Sequence, residues 1–478
     1  MTRHPNSDEL ALGFIAIDKQ AAQPGMIEKL PHYGKYSYLS FVGDAPTNDV
    51  KGVWASSDSP LVWLNPERGS TRALAGLPAV PALTELPPKY LAANLARHVE
   101  KLTDAGLLGR GITQVLSPRD EGIEGAARYI QGEFRRIGLQ AIGGSYLQTW
   151  QATLDNGKVQ QLSNLVGLIP GSDPALANQP VVLGAHYDHL GLDERGIPFP
   201  GADDNASGVA VLIEVAAKLT RAFTPVRPIV IVAFSGEESG LLGSKHFVSS
   251  QPSALGDVGF YAMINLDAVG RLEGRKLQVF GSESAYEWPF MAQGIGYTIG
   301  VESQLPAQTI ASSDHVSFLN NGVPAIHLFS GLHTDYHRTS DSAAKLDYEG
   351  LSGVASWLEE AAMYLGQRAE PLRVTLANAP VVVAPLGSEE RGASLGTVPD
   401  FAYVGAGVRI TGVIPDSAAD AVGLRQNDII LSLNGQTVTD LQTYSNLLRT
   451  YAIGDVVAIE LNRGEENLTV TATLTARR

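Results

Sequence analysis

The sequence predicts an α/β domain, a mainly parallel mixed sheet with helices on both faces, followed by a small β-rich module. Three observations carry this expectation. Between about residues 120 and 366, strand-sized apolar runs alternate with amphipathic helical stretches, the order that builds parallel strands covered on both sides. After about Ala393 the pattern changes to short strands with two helical patches. The chain also has 478 residues, too many for one domain of roughly 150 residues.

Residues 1–85 mix aromatic, Gly and Pro residues ("LPHYGKYSYLSFVG", "GVWASSDSPLVWLNP") with short alternating segments, so they read as a β-rich N-terminal segment without an assignable role. The Pro-rich stretch "LPAVPALTELPP" reads as a linker into helix "KYLAANLARHVEKLTDAG", which opens a domain over residues 86–368. Within it, helix "GIEGAARYIQGEFRRIG" leads to strands "LSNLVGLIPG" and "PVVLGAHYD". Helix "ASGVAVLIEVAAKLTRAF", strand "RPIVIVAFSG", helix "SGLLGSKHFVSS" and strand "FYAMINLD" follow. Strand "KLQVFGS", helix "AYEWPFMAQGIG", strand "VPAIHLFSG" and a long helix from about Asp347 to Gly366 complete the domain. Residues 369–392 read as a connector, and residues 393–478 as the β-rich module.

Composition removes several classes of function. With 44% hydrophobic and 18% charged residues, the chain has the balance of a soluble globular protein. A net charge of −15 without any Lys/Arg run repels phosphate backbones, so no nucleic-acid partner is expected. No apolar stretch reaches the roughly 18–20 residues of a membrane span. The segment "MTRHPNSDELALGFIAIDKQ" lacks the basic start, apolar centre and cleavage site of a signal peptide. With no cysteine at all, disulfides, thiolate metal ligands and cysteine nucleophiles are excluded, and any metal site must use His and carboxylates.

Polar residues gather where the parallel strands end, the edge at which ligands collect in open α/β sheets. His186 and Asp188 end one strand; Asp203 and Asp204 lie in the following loop; Glu237 and Glu238 follow the next strand; Asp267 ends another; His337 follows the last by one loop. Adjacent Glu237 and Glu238 at the mouth of an apolar strand repel one another unless cations compensate.

Six segments, "GAHYDHLG", "PGADDNASG", "FSGEESGLLGS", "INLDAVGR", "SSDHVSF" and "DYHRTSD", resemble in sequence and order the co-catalytic di-zinc aminopeptidases, whose relatives include glutamate carboxypeptidases and glutaminyl cyclases. The resemblance covers roughly residues 90–366 and implies the zinc exopeptidase fold. It also implies two zinc ions, one held by His186 and Asp267, the other by Glu238 and His337, with Asp204 bridging. Asp204 rather than Asp203 precedes the "NASG" segment as the family's bridging carboxylate does, and His337 rather than His333 is followed four residues later by Asp. Three carboxylates offset three of the ions' four positive charges, and a hydroxide offsets the fourth and serves as nucleophile.

By the same resemblance Glu237 is the general base and acid, Asp188 sits behind His186 and accepts its remaining ring N–H, and Asp204–Asn205 is a cis peptide. Tyr336 matches a position that donates to the oxyanion, with simple packing an open alternative. Asp203 reads as a turn residue, and His189, His246, His327 and His333 as surface or packing residues. For Asp314 and His315, loop support and substrate contact both stay open. The implied activity is removal of N-terminal residues from peptides. A carboxypeptidase or glutaminyl cyclase on the same fold is an alternative, as is a decayed enzyme that only binds peptides. Export to a periplasm or the exterior is implied by the resemblance alone.

Two other signatures carry little. "GASLG" fits a serine-hydrolase pattern without a strand-to-helix elbow, and none of the ten histidines is followed by Glu, which excludes an H-E-x-x-H helix. From "SLGTVPD" to "TVTATL", and most specifically in "PDSAADAVGLRQNDIILSLNGQ", the C-terminal module resembles a bacterial-type PDZ domain. That implies a peptide- or protein-C-terminus-binding groove with Ser394, Leu395, Gly396 and Thr397 as the carboxylate loop and Tyr444 and Leu448 on the facing helix, about Asp440 to Tyr451. Asn427 stands where relatives have Gly and tolerates a left-handed backbone. The facing helix reads as capped by Thr439, with Gln442 three residues on.

Overall fold

The structure, a computed structural model, describes residues 2–3, 11–12, 15–30, 36, 38–52, 89–104, 107, 109–112, 122–154, 157–193, 195–251, 255, 259–306, 313–376, 393–400, 403, 405–464 and 466–476. The Pro-rich linker before Lys89 and the connector from 377 to 392 lie outside these residues, as does most of "GVWASSDSPLVWLNP". The chain divides into two compact units, Met1–Leu86 and Pro87–Arg478. In the first, β1 (Thr2–Arg3) pairs antiparallel with β2 (Ala11–Leu12), helix α1 spans Gln23–Lys29, and β3 (Tyr38–Val42) forms an antiparallel hairpin with β4 (Thr47–Gly52).

The second unit opens with α2 (Ala92–Leu102) and α3 (Gly122–Ile137). Ala126, Ile130, Phe134 and Ile137 of α3 recur at helical spacing and are all buried, which is why this stretch packs as a helix. Then come β5 (Gln140–Ala141), β6 (Leu147–Thr153), β7 (Val159–Ile169), β8 (Val181–His186), α4 (Gly208–Ala222), β9 (Ile229–Phe234), α5 (Leu242–Ser249) and β10 (Ala262–Leu266). β11 (Leu277–Phe280), α6 (Trp288–Ile299), β12 (Ser303–Gln304), α7 (His315–Asn320), β13 (Ala325–Phe329) and α8 (Tyr348–Gln367) follow. Asp347 caps α8 by accepting the Gly350 N–H.

Nine strands form one sheet in the order β12-β11-β13-β10-β8-β9-β7-β5, with β6 also on β7. Its centre, β13-β10-β8-β9, is parallel, whereas β7 and β11 run antiparallel to β9 and β13. The parallel character is thus concentrated in the middle of the sheet. Val181, Leu183 and Ala185 of β8 join one core, and Val182 joins another on the opposite face; Ile229, Ile231 and Ala233 of β9 alternate likewise with Val230, Val232 and Phe234. Alternation with both faces apolar is the mark of a sheet covered on both sides.

The C-terminal module comprises β14 (Ala393–Ser394), β15 (Thr397–Pro399), β16 (Val408–Val413), α9 (Ala418–Ala421), β17 (Ile429–Leu433), β18 (Gln436–Thr437), α10 (Leu441–Arg449), β19 (Val456–Arg463), β20 (Glu466–Thr473) and β21 (Thr475–Ala476). It has its own core, drawn from Ala393 to Leu474. Asn427 does adopt a left-handed backbone, φ +72°. The cap of α10 differs from expectation: Asp440, not Thr439, accepts the Thr443 N–H, because the helix begins one residue later and the carboxylate reaches the third amide. Among the described residues no helix is long and apolar enough to cross a membrane.

Candidate metal centre

Four neighbouring strands and their loops deliver the polar residues to one edge of the sheet. β8 ends on His186, β9 runs into Glu237 and Glu238, β10 is followed by Asp267, and the loop after β13 carries His337, while Asp204 lies just before α4. His186 Nε2 is 3.3 Å from Asp204 Oδ1 and 3.2 Å from Asp267 Oδ1. On the other side of Asp204, His337 Nε2 is 2.9 Å from Oδ2 and 3.5 Å from Glu238 Oε2. One carboxylate therefore turns a different oxygen toward each of two His/carboxylate pairs.

The donors fit divalent zinc. His186 Nε2 and Asp267 Oδ1 are buried and have no hydrogen-bond partner among the described residues, a costly arrangement unless a cation occupies the space between them. Imidazole nitrogens and carboxylate oxygens are zinc's usual ligands in a protein without cysteine.

The backbone around Asp204 is tightly determined. Its peptide bond to Asn205 is cis. The amides of Asp203 and Asp204 donate to Asp341 Oδ2 at 2.9 and 3.2 Å, while the Asn205 side chain donates to Leu266 O and accepts from the Gly208 N–H. Asp203 points elsewhere, accepting the Gly270 N–H and lying 3.0 Å from His333 Nε2, so both act as packing groups. His337 holds a left-handed backbone, φ +57°, an uncommon conformation for a residue with a side chain, of the kind that collects at functional sites.

Asp188 lies beside His186 and also meets the turn after β9. Its carboxylate accepts the N–H groups of Glu237 and Glu238 at 3.1 and 3.3 Å and lies 3.7 Å from His186 Nδ1, which is nearer the Asp188 carbonyl at 3.3 Å. The side chain is engaged by the turn after β9, so it shapes the Glu237–Glu238 corner more directly than it orients His186.

Charge crowding perturbs these groups in opposite directions. Burial raises the Glu237 carboxyl well above its usual range, with Glu238, Asp267 and Asp314 adding to the effect. Burial also works against the Asp204 carboxylate, but His189, His186 and His337 outweigh it and hold Asp204 well below the usual range. For His337, burial disfavours the charge, yet Glu238 and Asp204 raise the ring to about 9. Tyr336, whose ring stacks on His337 at 4.1 Å, is pushed far up by burial and by the neighbouring carboxylates, which keeps its hydroxyl protonated. Burial lifts Asp314 to about 7. Such divergent shifts in one cleft mark a functional site. Away from it, His246 stacks on Trp150, and His315 and His327 stack at 5.0 Å, lowered by burial to about 3.

His189 is the residue that sequence reasoning missed. Read as a surface or packing residue, it is only 1% exposed, and its Nδ1 lies 2.8 Å from Glu238 Oε1. With Asp204 and Glu238 it forms a second group of potential metal donors beside His186, Asp204 and Asp267. Its place three residues after a strand-end ligand was the available signal, since the turn beyond a strand stays at the same edge.

In the C-terminal module, Ser394 Oγ accepts the Gly396 N–H, and Gly396 is left-handed at φ +78°. A Cβ there would fall 2.2 Å from Ser417 Cβ. Thr397 Oγ1 and the Tyr444 hydroxyl are 2.7 Å apart, joining the edge strand β15 to α10. Leu395, Tyr444 and Leu448 are buried in the module's core.

Residues 164–362 match the family model "Peptidase family M28", and residues 364–474 match "PDZ domain". The leupeptin-inactivating enzyme 1 of Streptomyces exfoliatus is 28% identical over 59% of this chain and 58% of its own length. Aminopeptidase YwaD of Bacillus subtilis is 30% identical over 43% of this chain and 45% of its own. The chain thus spans about half the length of the curated relatives it matches. A Zn-dependent exopeptidase from Parabacteroides distasonis superposes with a TM-score of 0.48 at 19% identity, covering 58% of this chain and 99% of that one. Segments similar to peptidase family M28 and to the PDZ domain therefore follow one another in this chain.

Proposed function

We propose that the chain is a zinc-dependent aminopeptidase with two metal positions. The observation that carries this reading is the division of Asp204, one oxygen facing His186 and Asp267, the other facing His337 and Glu238. When bound, paired zinc ions lower the pKa of water and polarise the carbonyl under attack. The protein's own groups supply the rest. Glu237 is half-buried beside the donors but is not among them, and its raised pKa suits a group that takes the proton of the attacking water and hands it to the leaving amine. The protonated Tyr336 hydroxyl donates to the oxygen that gains charge as the carbonyl carbon becomes tetrahedral.

The PDZ domain is assigned the binding of an extended peptide or protein C-terminus, added along the open edge of β15 and facing α10. The deciding experiment is a zinc-reconstituted assay of the full chain on aminoacyl nitroanilides, C-terminally blocked and free peptides, and N-terminal glutaminyl peptides. Release of N-terminal residues is expected. Cyclisation of the glutaminyl substrate, or release from C-termini alone, would replace this reading with its rivals, and inactivity on all of them would leave a peptide-binding protein.

A further inference from the structure

His189 is held in place from several sides. Its N–H donates to the Arg110 carbonyl at 3.1 Å, and the Arg110 guanidinium donates to Gly201 O at 2.8 Å. The ring lies edge-on to Phe199 and to His337, with centroids 6.2 and 6.0 Å away. Gly201, left-handed at φ +57°, makes room for it, because a Cβ at that position would fall 2.6 Å from His189 Cδ2. Fixed in this way, Nδ1 meets one oxygen of Glu238, Oε1 at 2.8 Å, while the other oxygen, Oε2, faces His337 at 3.5 Å. Nε2 is buried without a hydrogen-bond partner among the described residues.

We propose that His189 is a positioning residue for the second zinc ion. As Nδ1–H donor it occupies Glu238 Oε1 and leaves Oε2 as the single oxygen offered beside Asp204 and His337. The inference rests on the two-zinc reading above and adds a residue to it. Direct ligation by His189 is the competing role. It would place four protein donors, Asp204, Glu238, His337 and His189, around one ion, the closed set of a structural site rather than one with room for substrate. The distances also separate the roles, since His189 Nδ1 is 3.9 Å from the nearer Asp204 oxygen whereas His337 Nε2 is 2.9 Å from its own. Hydrogen-bond partners of metal ligands set the ligand's orientation and basicity, and their loss typically weakens metal binding by about 10–100-fold.

The test uses the full chain, with zinc titrated against a chromophoric chelator for the wild type, His189→Ala and His189→Asn, whose side-chain amide can donate from near the Nδ1 position. The wild type is expected to take two ions. In His189→Ala one ion should weaken by about 10–100-fold while the other is unchanged, and His189→Asn should recover most of the loss. Turnover of His189→Ala should return as zinc is raised to saturation, with KM little altered, and the visible spectrum of the cobalt-substituted variant should then match the wild type. Unchanged affinity for both ions overturns the proposal, as does equal weakening of both, which would mean general support of the fold. A saturated cobalt spectrum that differs in His189→Ala and is not restored by Asn overturns it in favour of direct ligation. A wild type that binds only one ion instead removes the two-zinc reading, and the proposal with it.

Discussion

The metal cleft and the C-terminal groove are both built at the margin of a sheet, but they store their chemistry differently. At the metal centre, His186 Nε2 and Asp267 Oδ1 are buried without hydrogen-bond partners among the described residues, and neighbouring groups are driven apart in pKa. In the groove, polar atoms are already satisfied: Ser394 is tied to Gly396, and Thr397 to Tyr444. The first site is organised for an ion that must complete it. The second, in the role proposed above, is a surface to which an extended chain adds backbone hydrogen bonds. Substitutions in the cleft should therefore produce large, chemically specific losses, and those in the groove small losses that depend on the substrate's length.

The largest expected effect is that of Glu237→Gln. The amide keeps the shape of the side chain but cannot shuttle a proton, so turnover should fall by about 10²–10⁴ while zinc content stays at the wild-type level by metal analysis. Loss of zinc together with turnover would make Glu237 a ligand and remove the distinction drawn between it and Glu238.

Next in size is the pH dependence of metal loading. His337 has its pKa raised to about 9 by Glu238 and Asp204, so below that pH the metal-free ring carries a proton that zinc must displace. Apparent affinity for the second ion should fall as pH is lowered, by about tenfold per unit for one displaced proton. Chelator competition between about pH 6 and pH 8 would show the slope, and a flat profile would mean that His337 does not give up a proton to the metal.

These two sites were legible in the sequence to different degrees, for a physical reason. Strand ends place His186, Asp204, Glu238, Asp267 and His337 along one edge, and the family resemblance singled them out there as the expected ligands. For His189 the one signal was its place three residues after His186, and the role proposed for it depends on the space left by Gly201 and on which oxygen of Glu238 it meets. That the Glu237 and Glu238 amides also meet the Asp188 carboxylate was not visible in sequence spacing. In the fold, strand β6 went unrecognised since Leu147–Thr153 is largely polar and half-exposed, and the parallel centre was visible through its apolar runs. The PDZ groove depends on backbone conformation at Gly396 and on the Tyr444 hydroxyl, neither of which leaves a periodic signal.

A third substitution turns from the cleft to the groove. Gly396→Ala puts a Cβ onto Ser417 in a left-handed position, so the Ser394–Thr397 loop must shift at a cost of about 1–3 kcal/mol. Affinity for a peptide with an apolar C-terminus, measured by fluorescence anisotropy on the full chain, should fall by about 5–150-fold, with turnover of an aminoacyl nitroanilide unchanged. Unchanged peptide affinity would remove this loop from the groove.

The smallest effect is expected from the largest alteration. Deleting residues 390–478 should leave turnover of a single-residue nitroanilide within about twofold of the intact chain, the range for changes at independent sites. Among the described residues the main core of the first domain draws none beyond Leu372 and the module's core none before Ala393, so each buries its own apolar surface. One approach works against full independence. Gly412 of β16 lies close to the loop carrying Tyr336 and His337, where an added Cβ would come within 3.4 Å of Thr334 Cγ2. If that approach steadies the loop, deletion should lower turnover of the small substrate as well, and the two regions would be one functional unit. If it serves only to place the groove beside the cleft, the loss should be confined to longer peptides with apolar C-termini, for which the bound end raises the local concentration of the other. Comparing the two substrate classes on the same truncated protein separates these cases.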